Sequence, residues 1–154
     1  MAQLFLRVVS LRRLTIQLFN SAYPLPNELD LTASTRLCEL NLLLTIRKGS
    51  ENFLESLRLP PSLSSIALAL HFYSSDCGEV VPSLGWNTMD NYLTDGVPLL
   101  KSLHIYIHEA PLTAEIRACI YGYLAKALPR LREKGIVMVH YRTHDVSDPV
   151  ALWH

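Results

Sequence analysis

Apolar and polar residues follow one template at several places along the chain: an apolar position, two variable ones, then three apolar positions separated by single variable ones. The octads LRRLTIQL, LCELNLLL and LSSIALAL begin at residues 11, 37 and 63, so the interval is 26 residues each time. LKSLHIYI, from Leu100 to Ile107, repeats the template after a longer interval of 37 residues. GIVMVHY, Gly135–Tyr141, is a fifth and altered copy. Recurrence at a fixed interval is typical of stacked repeats.

Alternation with a period of two predicts that each copy is a β-strand with one apolar face. In the fourth copy, Leu103, Ile105 and Ile107 are expected inside the protein, with the residues between them outside. Identical units return in the same direction, so neighbouring strands are expected to be parallel. The pattern therefore predicts the α/β class, as a short solenoid with a curved parallel sheet of about five strands.

The segments between the strands change to a helical period. SENFLESL predicts a helix with Ser50 as its N-cap. GWNTMDNYLTDG predicts a second helix that ends at Gly96. TAEIRACIYGYLAKAL predicts the longest helix, with Thr113 as N-cap and Pro129 as the point where it ends or kinks. These helices are expected on the convex side of the sheet.

Length and charge limit the functional classes. A chain of 154 residues fits one domain, predicted to span residues 1–154. Fourteen basic and fourteen acidic residues cancel, so the chain lacks the positive excess expected of a nucleic-acid binder. No apolar stretch approaches the roughly 20 residues that a membrane-spanning helix requires. Neither nucleic acid nor membrane is therefore predicted as a partner.

The cysteines favour a reducing compartment. Cys38, Cys77 and Cys119 are odd in number and far apart, and none forms a CxxC pair. A disulfide framework and a structural zinc site are therefore not predicted. We expect an intracellular protein, cytoplasmic or nuclear.

His104 and His108, spaced four apart, raise the question of a metal site. On a strand, residues four apart are separated by about 13 Å. Two ligands at about 2.1 Å from one zinc ion lie far closer than that. The Ile-x-Ile alternation around Tyr106 favours a strand, so the two histidines are predicted to form a surface stripe. No metal and no cofactor is predicted.

The outward side of the strands is the predicted partner-binding surface, because solenoids commonly use their concave face for recognition. Gln17 and Thr45 belong to it in the early strands. An alternative is that loops or neighbouring side chains cover this face. The predicted partner-binding residues are His71, His104, Tyr106, His108 and Tyr141.

Support for catalysis is absent from the sequence. His140, His144 and Asp145 form a possible cluster, but no nucleophile in a recognisable elbow lies near them. Glycine-rich phosphate-binding motifs are missing, and Cys77 is expected to be an inert loop residue. No catalytic residue is predicted.

With its repeated strands, the segment Trp86–Ile105 and the ending LPRLREKGIVMV, the chain resembles the irregular leucine-rich-repeat region of fungal F-box-like proteins. The resemblance covers about residues 11–141. It implies a leucine-rich-repeat-like array that binds a protein, either a whole array or a fragment of a longer one. Two departures stand out: the asparagine of regular repeats is missing, and no F-box is evident, although LPNEL at Leu25–Leu29 is similar to the opening of one. A role as a ubiquitin-ligase adaptor is implied only if an F-box lies outside this chain.

The sequence thus predicts a non-catalytic protein–protein recognition module that uses the exposed face of its strands. The alternative is a truncated repeat fragment without independent activity, because little precedes the first strand to cap the array. The third hypothesis is an enzyme whose site is assembled from distant loops.

Overall fold

The computed structural model describes residues 4–5, 11–18, 28–46, 51–72, 80–108 and 113–142. Five longer strands lie side by side in one sheet, and each neighbouring pair is parallel. This confirms the predicted α/β class and the parallel sheet of five strands. In spatial order the strands are β2 (Arg13–Leu18), β4 (Glu39–Ile46), β6 (Ser65–Phe72), β7 (Ser102–His108) and β8 (Val137–Arg142).

The strand register aligns equivalent positions of the template. Leu14 lies beside Leu40, and Leu40 lies beside Ile66, so β2, β4 and β6 are offset by the 26-residue interval. Ile66 in turn lies beside Leu103, and Leu103 lies beside Val137. A slip of one residue would move every aliphatic side chain of a strand to the opposite face, so the alternation itself fixes this register.

One side of the sheet, which we name the core face, forms the hydrophobic core. Helical side chains such as Trp86 and Leu124 belong to the same buried cluster, so the helices pack on this side. Nine aliphatic side chains of the three central strands are completely inaccessible to solvent. They are Leu40, Leu42, Leu44, Ile66, Leu68, Leu70, Leu103, Ile105 and Ile107.

Within residues 80–108 and 113–142, the structure describes three α-helices in full: α1 (Trp86–Gly96), α2 (Ala114–Ala127) and α3 (Pro129–Glu133). The hydroxyl of Thr113 accepts a hydrogen bond from the backbone N–H of Ile116 at 3.2 Å, which confirms the predicted N-cap of α2. The predicted end of α1 at Gly96 and the break at Pro129 are also confirmed.

The helix expected from SENFLESL is instead a single turn of 3-10 helix, Phe53–Ser56. Leu57 then begins an extended segment, β5 (Leu57–Arg58), and the predicted N-cap Ser50 lies outside the described residues. This segment pairs in parallel with β3 (Leu29–Asp30), which pairs with β1 (Leu4–Phe5). Pairing with a distant strand thus overrides the local helical pattern.

A buried carboxylate joins α1 to α3. Asp90 in α1 accepts hydrogen bonds from the backbone N–H groups of Arg130 and Leu131, at 3.2 and 3.0 Å. It therefore caps the first turn of a helix that begins about 40 residues further along the chain. Arg130 also forms an exposed ion pair with Asp95 at 2.6 Å. These contacts fix α3, which leads directly into β8.

Candidate binding surface on the strand face

The side of the sheet opposite the core face is formed by the side chains that alternate with the core residues, and we name it the strand face. Because the strands are parallel and in register, these side chains form rows that run across the sheet. In the two rows that begin on β2, the side chains change from a hydroxyl or amide on β2 to a ring on β7, and the third row begins on β4. The rows are Thr15–Asn41–Ala67–His104–Met138, then Gln17–Leu43–Ala69–Tyr106–His140, then Thr45–His71–His108 at the carboxyl ends of the strands.

Ring side chains dominate the β6–β8 half of the strand face. His71 and His108, which are register partners, stack at a centroid distance of 4.5 Å with their planes 9° apart. Tyr106 and His140 are also register partners and stack at 4.6 Å. Four of the five predicted binding residues thus lie on this face, beside a fifth ring, His140, that was not among them.

His104 and His140 form a different kind of contact. Nδ1 of His104 lies 3.1 Å from Nε2 of His140, a hydrogen-bond distance in which either imidazole can be the donor. The ring centroids are 5.3 Å apart and the planes differ by 13°. A ring with bonds of about 1.33 Å has its atoms about 1.1 Å from its centre. The distance from each ring centre to its nitrogen, added for both rings to the N···N distance, gives the observed separation of the two ring centres. The two nitrogens therefore lie on the line between the ring centres, and the rings meet edge to edge in nearly one plane.

Accessibility varies strongly across the strand face. Short side chains between taller neighbours, such as Ala69, are buried, and His108 is only 8% exposed. His104, Tyr106 and His140 are half-buried, whereas Met138 on β8 is 40% exposed. The prediction that the whole stripe faces solvent is therefore wrong for His108, and the accessible rings lie nearer β8.

Tyr141 is the one predicted binding residue that lies on the other side of the sheet. It is in register with Ile107 of the core face, and its hydroxyl donates to the backbone oxygen of Arg117 in α2 at 2.9 Å. Burial raises the pKa of this phenol above its usual value. The prediction was wrong because the fifth copy has apolar residues at four successive positions, 136 to 139, so alternation alone did not set its phase.

Because the odd-numbered residues of β8 face the core, its even-numbered residues lie on the strand face. Two of them were not among the predicted binding residues. Val137 and Val139 pack against the core, so Met138 and His140 alternate to the outside. A sequence alignment that places Val137 opposite Leu103 predicts both residues on this face. His144 and Asp145, which form the possible cluster with His140 in the sequence, lie outside the described residues.

The described residues contain no group of three or more histidine, cysteine, aspartate or glutamate side chains arranged to hold a metal ion. His104 and His108 are in different rows, with Tyr106 between them, as the strand prediction required. Cys38 and Cys119 are free thiols, and Cys77 lies outside the described residues.

A separate shallow groove, open to solvent, lies on the helical side of the sheet at β8. Its lining is mostly aliphatic, and Arg132 directs its guanidinium to the backbone oxygen of Ala125 at 2.9 Å. The groove lacks the converging polar groups that give a ligand site its specificity. The residues that line it are Tyr121, Leu124, Ala125, Arg132, Val137 and Val139.

The fold and surface define the chain as an α/β protein with a parallel sheet. No protein-family model, curated protein or solved structure matches it. None of the helices in the described ranges is long and apolar enough to span a bilayer.

Proposed function

We propose that the protein is a non-catalytic recognition module that binds a protein partner at the β7–β8 end of the strand face. The observation that carries this proposal is the grouping of His104, Tyr106, Met138 and His140, which we name the β7–β8 patch. Tyrosine and methionine are enriched in protein interfaces, and Met138 is the most accessible apolar side chain of this face. The patch combines apolar contact area with hydrogen-bonding rings.

The scaffold beneath the patch favours this use. The backbone of β7 is paired on both sides, and its inward residues Leu103, Ile105 and Ile107 are completely buried. A partner that binds the patch therefore meets side chains on a pre-ordered backbone, which lowers the entropic cost of association. His108, stacked on His71, supports the surface from a buried position.

The proposal includes the architecture of the array. The five strands belong to a short leucine-rich-repeat-like solenoid, of the irregular kind found in fungal F-box-like proteins. Support comes from the 26-residue offset between β2, β4 and β6 and from the second set of parallel pairs made by β1, β3 and β5. An adaptor role in a ubiquitin ligase would follow only if an F-box lies outside this chain.

A site-specific photocrosslinker tests the proposal. Benzoylphenylalanine is placed at Met138 and, as a matched control, at Leu99, an exposed apolar residue outside the sheet. After irradiation in cells of the source organism, we expect a discrete crosslinked protein from position 138 and none from position 99. Equal labelling from both positions, or none from position 138, contradicts the proposal.

The identified partner then allows a measurement of affinity. Tyr106→Ala and Met138→Ala should each weaken binding by roughly tenfold or more, because central aromatic and apolar contacts dominate interfaces. Thr15→Ala, at the exposed far edge of the same face, is the control and should leave the affinity unchanged. Thermal unfolding of each variant separates a loss of contact from a loss of structure. His108 is unsuitable as a test residue because it is buried.

A further inference from the structure

The groove between α2 and β8 has an aliphatic middle, and an arginine side chain lies at each of its ends. Its lining includes Leu124 of α2 together with Val137 and Val139 of β8. Aliphatic side chains by themselves accept any apolar group, so the middle of the groove has little selectivity. The charges at the two ends therefore decide which ligand fits.

One end is formed by Arg132 of α3, whose side chain lines the groove. Its Nη1 donates a hydrogen bond to the backbone oxygen of Ala125 in α2 at 2.9 Å. This bond uses one of the five N–H groups of a guanidinium and holds the group beside the groove. Because Arg132 is exposed, its other donors can meet a ligand.

The other end is formed by Arg117, which lies one helical turn before Tyr121 on the same side of α2. Its guanidinium carbon is 6.0 Å from the centre of the Tyr141 ring, which follows Val139 on the core face of β8. Nε of Arg117 is buried and has no hydrogen-bond partner in the part of the chain that the structure describes. A buried donor without a partner costs free energy, so a carboxylate close to this guanidinium is favoured.

No carboxylate of the described residues forms an ion pair with either of these two arginines. Glu115 and Glu133, which belong to the same two helices, are exposed and pair with neither Arg117 nor Arg132. The complementary ligand therefore carries a negative charge at each end and an apolar group between them. Guanidinium groups suit this role because their planar N–H groups match a carboxylate.

The separation of the two ends sets the length of the ligand. Arg117 and Ala125 are eight residues apart on α2, which corresponds to about 12 Å along the helix. In an extended chain, residues four apart are separated by about 13 Å, and the residue midway between them points to the same side. Two acidic residues four apart, with an aliphatic residue midway, thus match the two charges and the apolar middle.

We propose that the α2–β8 groove binds an extended protein segment with the order acidic, variable, aliphatic, variable, acidic. The two carboxylates contact Arg117 and Arg132, and the aliphatic side chain lies between them. This site is independent of the β7–β8 patch, because it lies on the opposite side of β8. Crosslinking from Met138 reports on the patch, whereas binding of such a segment reports on the groove, so either proposal can fail without the other.

A peptide titration followed by ¹H–¹⁵N NMR of the full chain tests this proposal. The probe is acetyl-Glu-Ser-Leu-Ser-Glu-amide, and the two control peptides carry glutamine for both glutamates or serine for the leucine. The probe should shift the amide signals of Tyr121 and Val139 and leave that of Thr15, at the far edge of the sheet, unchanged. Each control peptide should bind about fivefold more weakly or less, because an exposed charge contact or a partly buried leucine is lost.

Substitutions of the two arginines locate the binding site. Arg117→Gln and Arg132→Gln should each weaken binding of the probe about fivefold, and the double variant should no longer prefer it to the glutamine peptide. Arg130→Gln is the matched control, because Arg130 lies in the same helix as Arg132 but is already paired with Asp95. It should leave the affinity unchanged. Thermal unfolding of each variant checks that the fold is retained.

Three results would overturn the inference: no binding of the probe, equal binding of the glutamine peptide, or unchanged binding by the double variant. Two further measurements examine other occupants of the groove. Sedimentation of the full chain would identify a second copy if the double variant removed a self-association. Tighter binding of the probe by Asp145→Asn/Asp148→Asn would identify carboxylates of the same chain. Either result would contradict the proposed partner segment.

Discussion

The two faces of the five-stranded sheet are built from the same strands but follow different rules. On the core face, leucine, isoleucine or valine occupies nearly every position, and equivalent positions in neighbouring strands carry similar aliphatic side chains. On the strand face, the residues that face outward in β2 are Thr15 and Gln17, whereas those in β7 are His104 and Tyr106. The positions that repeat from strand to strand form the hydrophobic core. The positions that differ from strand to strand supply the polar and aromatic side chains of the strand face.

Packing explains the difference. A completely buried side chain must fill a fixed volume, so only a few aliphatic shapes are compatible with each core position. On the strand face, the side chains of the two outer strands, such as Thr15 and Met138, are exposed and have fewer neighbours to fit, so their identity is free to vary. Side chains between them, such as Ala69, are buried on this face too. The comparison predicts that substitutions on the two faces have separable effects on stability and on binding.

The largest difference between the faces is expected for Leu68→Ala, at the centre of the middle strand, β6. The change removes aliphatic volume from a site that is completely buried, so it should lower the free energy of unfolding by about 2–5 kcal/mol. Thr15→Ala is the control on the strand face and should stay within about 0.5 kcal/mol of the wild type. Urea denaturation measures both, and similar losses would contradict the division of roles.

A smaller loss of stability is expected where a polar group is buried on the helical side. Asp90→Ala leaves the backbone N–H groups of Arg130 and Leu131 without their acceptor, which should cost roughly 1–3 kcal/mol. Asp95→Ala breaks the exposed ion pair between α1 and Arg130 of α3 and should have a smaller effect. Urea denaturation measures the free energy of unfolding of both variants. An equal loss in Asp90→Ala and Asp95→Ala would contradict the expectation that the buried carboxylate stabilises the protein more.

Tyr141→Phe tests the assignment of this residue to the core face. It removes the hydrogen bond to the backbone oxygen of Arg117 and should lower the free energy of unfolding by about 0.5–1.5 kcal/mol. Tyr121→Phe, on a side chain that is 54% exposed, should leave stability unchanged. Partner binding should survive Tyr141→Phe, since the phenol faces α2. If Tyr141→Phe weakened partner binding without lowering stability, Tyr141 would have to be part of the binding surface.

The smallest effect concerns the pH dependence of the Asp95–Arg130 pair. Hydrogen bonding from the guanidinium lowers the pKa of Asp95 in the folded protein. A lowered folded-state pKa stabilises the protein above the unfolded value of about 3.9, and this contribution is lost as the pH falls through the folded value. Asp95→Asn should therefore slightly lower the melting temperature at pH 7, and the difference should vanish in acid. The same substitution in an Arg130→Gln background should have a smaller effect, because only the more distant charge of Lys134 still favours the ionised carboxylate.

Local pattern was sufficient for much of this architecture. The alternation of aliphatic residues in the octads from Leu11, Leu37, Leu63 and Leu100 predicted the strands, their direction and their inner residues. Capping chemistry likewise predicted where α2 begins, because Thr113 needs only the backbone three residues further on. In each case the interactions that decide the outcome lie within one element or one repeat.

The remaining features depend on contacts between distant parts of the chain. The phase of β8 is decided by its pairing with β7, which moves Tyr141 to the core face and His140 to the strand face. His104 and His140 meet across 36 residues, and Asp90 reaches Leu131 across 41. The sequence by itself determined which segments become strands and which of their faces is apolar, since alternation is local. Only the tertiary structure decided which polar side chains become neighbours, because that depends on the register of one strand against another.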